Sequence, residues 1–184
     1  MLAHEAAFQL GLERVVLVPT GEAPHKKIDP EPGAEVRLEL ARVAAEHDDL
    51  LDVSEVEVRR AGPSYSSHTL EQLNDEHAGD DLFFLMGADV AAHIEAWHEP
   101  QRILELARLA IAGRPGTVLD EAEVALERLG ATARAEFIRM PELGVSSTRI
   151  RRRIAQEQSV RYLVPDAVAA LITERGLYRE AVTA

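Results

Sequence analysis

Leu82-Phe83-Phe84-Leu85-Met86, running directly into Gly87-Ala88-Asp89, is the most hydrophobic stretch of the chain and the one that decides its fold. An apolar run without alternation suits a strand covered on both faces, as in a parallel sheet, and here it reads as a central strand. Arg14-Val15-Val16-Leu17-Val18, stopped by Pro19, and Leu109-Ala110-Ile111-Ala112, stopped by Gly113-Arg114-Pro115-Gly116, have the same character. Residues 50–58 are β-branched and roughly alternating, which predicts a more exposed strand, and 136–140 predict another. Helical spacing fills the intervals: residues 1–10 with Gly11 as the stop, 34–47, and a helix capped by Ser66 or Ser67 that ends near His77. Further helical stretches flank Trp97, cover 119–130, begin at Ser146, and run from 165 to 175.

Strands alternating with helices predict an α/β domain, a Rossmann-like parallel sheet flanked by helices. The expectation is one domain over 1–184, with a small C-terminal helical part from about 146. Ligands of such sheets bind beyond the carboxyl ends of the strands. The unusual residues gather there: Pro24-His25-Lys26, Gly87-Ala88-Asp89, Arg114 and a cluster at Ser146. Four loops are therefore expected on one rim.

The fourth of these is Gly144-Val145-Ser146-Ser147-Thr148-Arg149-Ile150-Arg151, followed by Arg152 and Arg153. Hydroxyls at a helix start leave side chains and unpaired amides facing one way, and the helix dipole adds roughly half a positive charge. That is an anion site. A capped helix with a solvated basic face is the plain alternative. The contrast favours the anion site, because a chain of net charge −12 places four of its 20 Lys and Arg within five positions.

At 184 residues the chain is long enough to bury about 70% of its unfolded surface. Its 32 Asp and Glu argue against a nucleic-acid or membrane-surface binder, since non-specific affinity of that kind comes from cationic surface. No apolar run approaches the length of a membrane span. The absence of Cys removes disulfides, thiolate nucleophiles and zinc-thiolate sites. Nothing at the start resembles a secretory signal, since His4 and Glu5 interrupt the apolar residues, so a cytoplasmic location is expected. No phosphate loop of the G-x-x-x-x-G-K-[ST] type, no G-x-G-x-x-G and no H-E-x-x-H is present. Ser64 sits in Gly-Pro-Ser-Tyr-Ser, which lacks the second Gly of a nucleophile elbow. The seven His are scattered, and His93 and His98 do not share a helix face, so no metal ligands are predicted. The chemistry that remains is phosphate positioning by loops, helix N-termini and Arg.

These segments resemble the bacterial nicotinate-nucleotide adenylyltransferases of the nucleotidylyltransferase superfamily. Val18-Pro19 with Pro24-His25-Lys26 is similar to the family's P-x(n)-P-H-K, and Gly62-Pro63-Ser64-Tyr65-Ser66 with Thr69 to its G-P-S-Y-T-x-x-T. Gly87-Ala88-Asp89, Trp97 and Arg114-Pro115-Gly116 follow in the family's order. Val145-Ser146-Ser147-Thr148 with Ile150 and Arg151 resembles its I-S-S-T-x-I-R, and Leu163-Val164-Pro165 and Gly176-Leu177-Tyr178 its tail. The resemblance implies transfer of AMP from ATP to nicotinate mononucleotide, with Mg²⁺, giving nicotinate adenine dinucleotide and pyrophosphate. It implies that Ser146, Ser147, Thr148 and Arg151 hold ATP phosphates, with Arg114 also on ATP, and that Gly87 and Asp89 meet the ribose. His25 and Lys26 would approach from the opposite loop. Trp97 would stack on the pyridine ring, and Ser66, Thr69 and His98 would complete the mononucleotide site, through backbone amides near Ser66 and His98.

Trp97 by default is a packing residue and Asp89 a helix cap, and Lys26 a solvated charge. Ser66 stands where the family often has Thr, and His98 where an aromatic is common. The family's opening strand and G-x-F-[DN]-P-x-H-x-G-H align ahead of Met1. The resemblance thus implies a front shortened by roughly 15–25 residues, without the first central strand, and no catalytic residue is assigned. Such a chain is expected either to be an adenylyltransferase of impaired activity or to act as a non-catalytic nucleotide-binding module. A preference for nicotinamide mononucleotide is a further alternative, and exposed sheet edges favour a homo-oligomer.

Overall fold

A computed structural model describes residues 1–23, 32–113, 119–141 and 144–179. In chain order the elements are α1 (Leu2–Leu10), β1 (Val15–Leu17), α2 (Ala34–Ala45), β2 (Leu51–Val53), α3 (Val56–Arg59), α4 (Ser66–Glu76) and β3 (Phe83–Gly87). There follow α5 (Ala88–Ala91), α6 (Pro100–Leu106), β4 (Arg108–Gly113), α7 (Leu119–Arg128), β5 (Ala135–Arg139), α8 (Ser147–Ala155) and α9 (Asp166–Glu174). Single 3-10 turns lie at Ile94–Ala96 and Thr132–Arg134. The expected alternation of strand and helix is present. Two compact units form, one of Met1–Val15 with Tyr65–Glu142 and the other of Val16–Ser64 with Leu143–Ala184.

The first unit is built on a parallel sheet in the order β3-β4-β5, with Gly87 opposite Ala112 and Gly113 opposite Arg139. Strand β4 lies in the middle, and its residues divide by parity. Leu109 and Ile111 join Met86, Ile94, Ile103 and Leu126 in one core, while Ala110 and Ala112 join Ala6 and Ile138 in a second, beneath α1. Both layers are dry, with Leu109, Ala110 and Ile111 fully buried. The helix α1 ends as expected at Gly11, which takes a left-handed φ of 67° and donates its amide to the Ala7 carbonyl. On β5 the Gln9 side chain supplies a two-way pair, its Nε2 donating to the Arg139 carbonyl and its Oε1 accepting from the Arg139 amide.

Two sequence expectations need correction in this unit. The run 82–86, expected at the centre of a sheet, forms β3, whose ladder partner among the described residues is β4 alone. Its hydrophobicity reflects covered faces rather than ladder position: Phe84 packs edge-on against Trp97, and the Arg108 guanidinium covers Phe83. Helix α4 is capped by neither Ser66 nor Ser67; its N-cap is Tyr65, with no side-chain cap bond. The hydroxyls there are engaged elsewhere, Ser67 on Glu99 and Thr69 on the Tyr65 carbonyl.

In the second unit β1 and β2 form a two-stranded sheet, and the Ser54 amide extends it by donating to the Leu17 carbonyl at 2.9 Å. The strand expected over 50–58 stops at Val53 and gives way to α3. Ser54 Oγ accepts from the Val56 amide and turns the chain, and Glu55 then pairs with Arg59 one turn on and with Arg42 of α2. Helix α2 packs on β2 and α9, which bury Leu38, Val168, Leu171 and Ile172, and Arg175 reaches Glu39 at 2.7 Å.

A polar clamp also fixes residues 20–22 of this unit. Ser64 Oγ accepts from the amides of Gly21 and Glu22, both at 3.2 Å, and the Ser64 amide donates to the Glu22 carbonyl at 2.8 Å. From α2, the Arg37 guanidinium donates to the Thr20 and Gly21 carbonyls. Gly21 has no substitute here, because a Cβ would overlap the Glu57 carbonyl. Among the described residues no helix is long and apolar enough to cross a membrane.

Gly21→Ala is expected to cost about 1–3 kcal/mol through that overlap, read as a lower urea midpoint at unchanged slope. Leu109→Ala, which opens a cavity at the centre of the first sheet, should cost about 2–5 kcal/mol in the same measurement.

Candidate functional site

The start of α8 is the strongest anion feature. Ser146 is extended (φ −142°, ψ 155°) and caps the helix, its Oγ accepting from the Arg149 amide at 3.2 Å. Its carbonyl accepts from Ile150 at 2.9 Å, so the amides of Ser147 and Thr148 have no acceptor within the helix. The hydroxyls of these two residues belong to the exposed first turn. One turn above Ser147 stands Arg151, on the same helix side by its spacing of four.

The four guanidiniums of this helix differ in use. Arg149 donates to the Gly144 carbonyl at 2.7 Å, and Arg153 holds the Ser159 carbonyl through Nε and a terminal nitrogen at 2.9 and 2.7 Å. Both therefore fasten the chain on either side of α8. A cavity of about 310 Å³ lies on their side, lined by Gly144, Val145, Arg149, Ile150, Arg153, Ser159, Arg161 and Leu163. None of Ser146, Ser147, Thr148 and Arg151 lines it. Arg151 is instead half-buried, and its Nε is enclosed without a hydrogen-bond partner among the described residues. An enclosed guanidinium N–H is a donor whose geometry suits an oxyanion.

The remaining predicted residues that can be placed belong to the other unit. Gly87 ends β3 and Asp89 lies in the first turn of α5. The Asp89 carboxylate folds back over Gly87, where a Cβ would collide with Oδ1, and it makes no cap bond. Asp89 is exposed, two residues beyond Gly87, which ends β3 opposite Ala112 of β4. Arg114, His25 and Lys26 lie outside the described residues.

Ser66 and Thr69 lie in the first turn of α4, and His98, in the turn before α6, meets the start of that helix through Tyr65 and His68. The Tyr65 ring stacks on His98 at 4.2 Å with a 31° tilt and meets His68 edge-on at 5.7 Å. The first amide of α4 with a helical acceptor is that of Thr69, which leaves those of Ser66, Ser67 and His68 pointing out of the helix start. Trp97 precedes His98 and is half-buried, packed on Phe84 at 5.9 Å. Its default reading as a packing residue describes part of its surface and leaves the rest open.

Residue spacing alone missed a group that the fold assembles. Glu99, at a left-handed φ of 50°, turns its carboxylate toward His68 and His98, and Ser67 donates to it at 3.3 Å. One ligand atom from each of His68, His98 and Glu99 falls within a span of 4.8 Å. The wide sequence separation of His68 from the other two, and a positive φ on a non-glycine, left no pattern by which to find it. The backbone-holding roles of Arg37 and Ser64 were out of reach for a similar reason, each acting on backbone brought near only by folding.

Residues 1–153 match the cytidylyltransferase-like family. The chain is 39% identical over 178 residues to a protein of Roseiflexus sp. (strain RS-1) named probable nicotinate-nucleotide adenylyltransferase, covering 97% of this chain and 89% of that one. It is 40% identical over 179 residues to a protein of that name from Thermus thermophilus, covering 97% and 90%. In fold it is similar to the Plasmodium falciparum nicotinic acid mononucleotide adenylyltransferase complexed with NaAD, with a TM-score of 0.73, 15% identity, and 96% and 90% of the two chains covered. From the family match over residues 1–153 and these identities over nearly the whole chain, the chain belongs to the cytidylyltransferase-like family and, within it, to the bacterial nicotinate-nucleotide adenylyltransferases.

Proposed function

We propose that this protein transfers AMP from ATP to nicotinate mononucleotide, forming nicotinate adenine dinucleotide and pyrophosphate, in the cytoplasm. The observation that carries the reading is the α8 start: two amides without an acceptor in the helix, two exposed hydroxyls, and the enclosed Nε of Arg151, without a partner among the described residues. That is a receptor for phosphate oxygens.

In the reaction an oxygen of the mononucleotide phosphate attacks the α-phosphorus of ATP. The bond from that phosphorus to the bridging oxygen breaks, and pyrophosphate leaves with the electron pair. No protein nucleophile is needed, and the protein contributes alignment and charge stabilisation. Ser146 shapes the helix start, and Ser147, Thr148 and Arg151 bind the triphosphate, with Arg114 as a further cation. Asp89 accepts from the ribose hydroxyls, which requires Gly87 to leave room for its carboxylate. His25 and Lys26 bring an imidazole and a further cation to the phosphates. Trp97 stacks on the pyridine, and the amides around Ser66 and His98, with Thr69 fixing the first turn of α4 through the Tyr65 carbonyl, bind the nicotinate carboxylate. Substitutions at 66 and 98 are tolerated when recognition runs through the backbone.

Mg²⁺ fits this scheme as a passenger of ATP. The donors at the α8 start are hydroxyls, amides and guanidiniums, which suit an anion and repel a bare cation. The metal, held by the phosphates and water, would neutralise charge on the leaving pyrophosphate.

Given Mg²⁺, ATP and nicotinate mononucleotide, the protein is expected to release pyrophosphate and nicotinate adenine dinucleotide in a coupled assay, and to use nicotinamide mononucleotide less well. Failure to bind ATP in calorimetry, together with no product, would overturn the proposal. Arg151→Ala should lower kcat/KM for ATP by roughly 2–4 kcal/mol in transition-state terms while leaving the melting temperature near that of the parent. Unchanged kinetics would remove Arg151 from the triphosphate site.

A further inference from the structure

We propose that His68, His98 and Glu99 form a binding site for one divalent transition cation of the Zn²⁺ class, separate from the Mg²⁺ carried by ATP. The three side chains share a focus: His98 Nε2 lies 3.4 Å, and His68 Nε2 3.9 Å, from the same Glu99 Oε2. Tetrahedral Zn²⁺ with bonds near 2.0–2.2 Å sets its ligand atoms roughly 3.4 Å apart. One pair already has that spacing. The others, all within 4.8 Å, need only small side-chain rotations. The three side chains are 44%, 42% and 53% exposed, so such rotations are open to them and a cation can enter from solvent.

The surroundings hold the ligands in place. The Tyr65 ring packs on the face of His98 and against the edge of His68, restricting both imidazoles. The hydroxyl of Ser67, a fully buried residue, donates to Glu99 Oε2 and orients the carboxylate from behind, as supporting hydrogen bonds do around metal ligands. Glu99 itself sits at φ 50°, ψ 59°, a conformation that costs an ordinary residue energy. Two imidazole nitrogens and one carboxylate oxygen select Zn²⁺, Co²⁺ or Ni²⁺ over Mg²⁺ and Ca²⁺, which require oxygen. The fourth position is left to water.

The test is a titration of the untagged, chelator-treated full chain with Co²⁺, followed by the visible absorption of four-coordinate cobalt. One equivalent should bind, Zn²⁺ should displace it, and excess Mg²⁺ should not. His68→Gln and Glu99→Gln should each weaken binding by about 10- to 100-fold or more, and Ser67→Ala by about tenfold, with unfolding midpoints measured alongside. The proposal fails if no stoichiometric Co²⁺ signal appears, if Mg²⁺ displaces cobalt equally well, or if the double variant of His68 and Glu99 binds as the parent does. None of these outcomes depends on adenylyl transfer.

Discussion

Two-sided burial of β4 is the constraint from which the first unit follows. A strand with Leu109 and Ile111 on one face and Ala110 and Ala112 on the other must be covered twice, so helices have to pack above and below it. Large residues on one face and alanines on the other set how close each layer comes. The alanine face admits Ala6 of α1 at short range, while the larger face takes Ile94, Ile103 and Leu126. Parallel neighbours in register then bring the ends of β3 and β4 to one edge, where Gly87 lies opposite Ala112 and Asp89 can stand exposed.

At both proposed binding regions, backbone does much of the chemistry and side chains hold the backbone. Ser146 spends its hydroxyl on the Arg149 amide, and Arg149 and Arg153 hold neighbouring carbonyls, which leaves Arg151 as the enclosed guanidinium without a partner for its Nε among the described residues. The division has a physical logic. A guanidinium that donates to a main-chain carbonyl is fixed by that bond, whereas one whose Nε is enclosed and unpaired carries an unmet demand that an anion satisfies. The same division appears around residue 21, where Arg37 and Ser64 act on main-chain atoms and fix residues 20–22.

Much of this is legible in the sequence where the signal is local. Gly11 as a helix stop, Ser146 as a cap, and the strands at 109–112 and 136–140 each depend on a few neighbouring residues, and each lies within a residue or two of its expected place. Expectations fail where the deciding partner is distant. Residues 50–58 alternate like a strand, yet the Ser54 turn and the pull of Arg42 on Glu55 end it at Val53. The apolar run 82–86 reads as central because burial and ladder position usually coincide, and here they separate. Ser67 has the look of a cap, but Glu99, far along the chain, takes its hydroxyl. The order of short segments is enough to place the chain in its family, since order survives even when each segment alone is a weak signal.

The pairing of Gln9 with Arg139 has a consequence beyond the fold. A single primary amide occupies both the donor and the acceptor of one β5 residue, standing in for a short piece of neighbouring backbone. It therefore works as a stopper: a stray polypeptide arriving at that position would have to dislodge a tethered competitor whose effective concentration is far higher than its own. One glutamine side chain thus closes, at that point of β5, a main-chain donor and acceptor that would otherwise face outward.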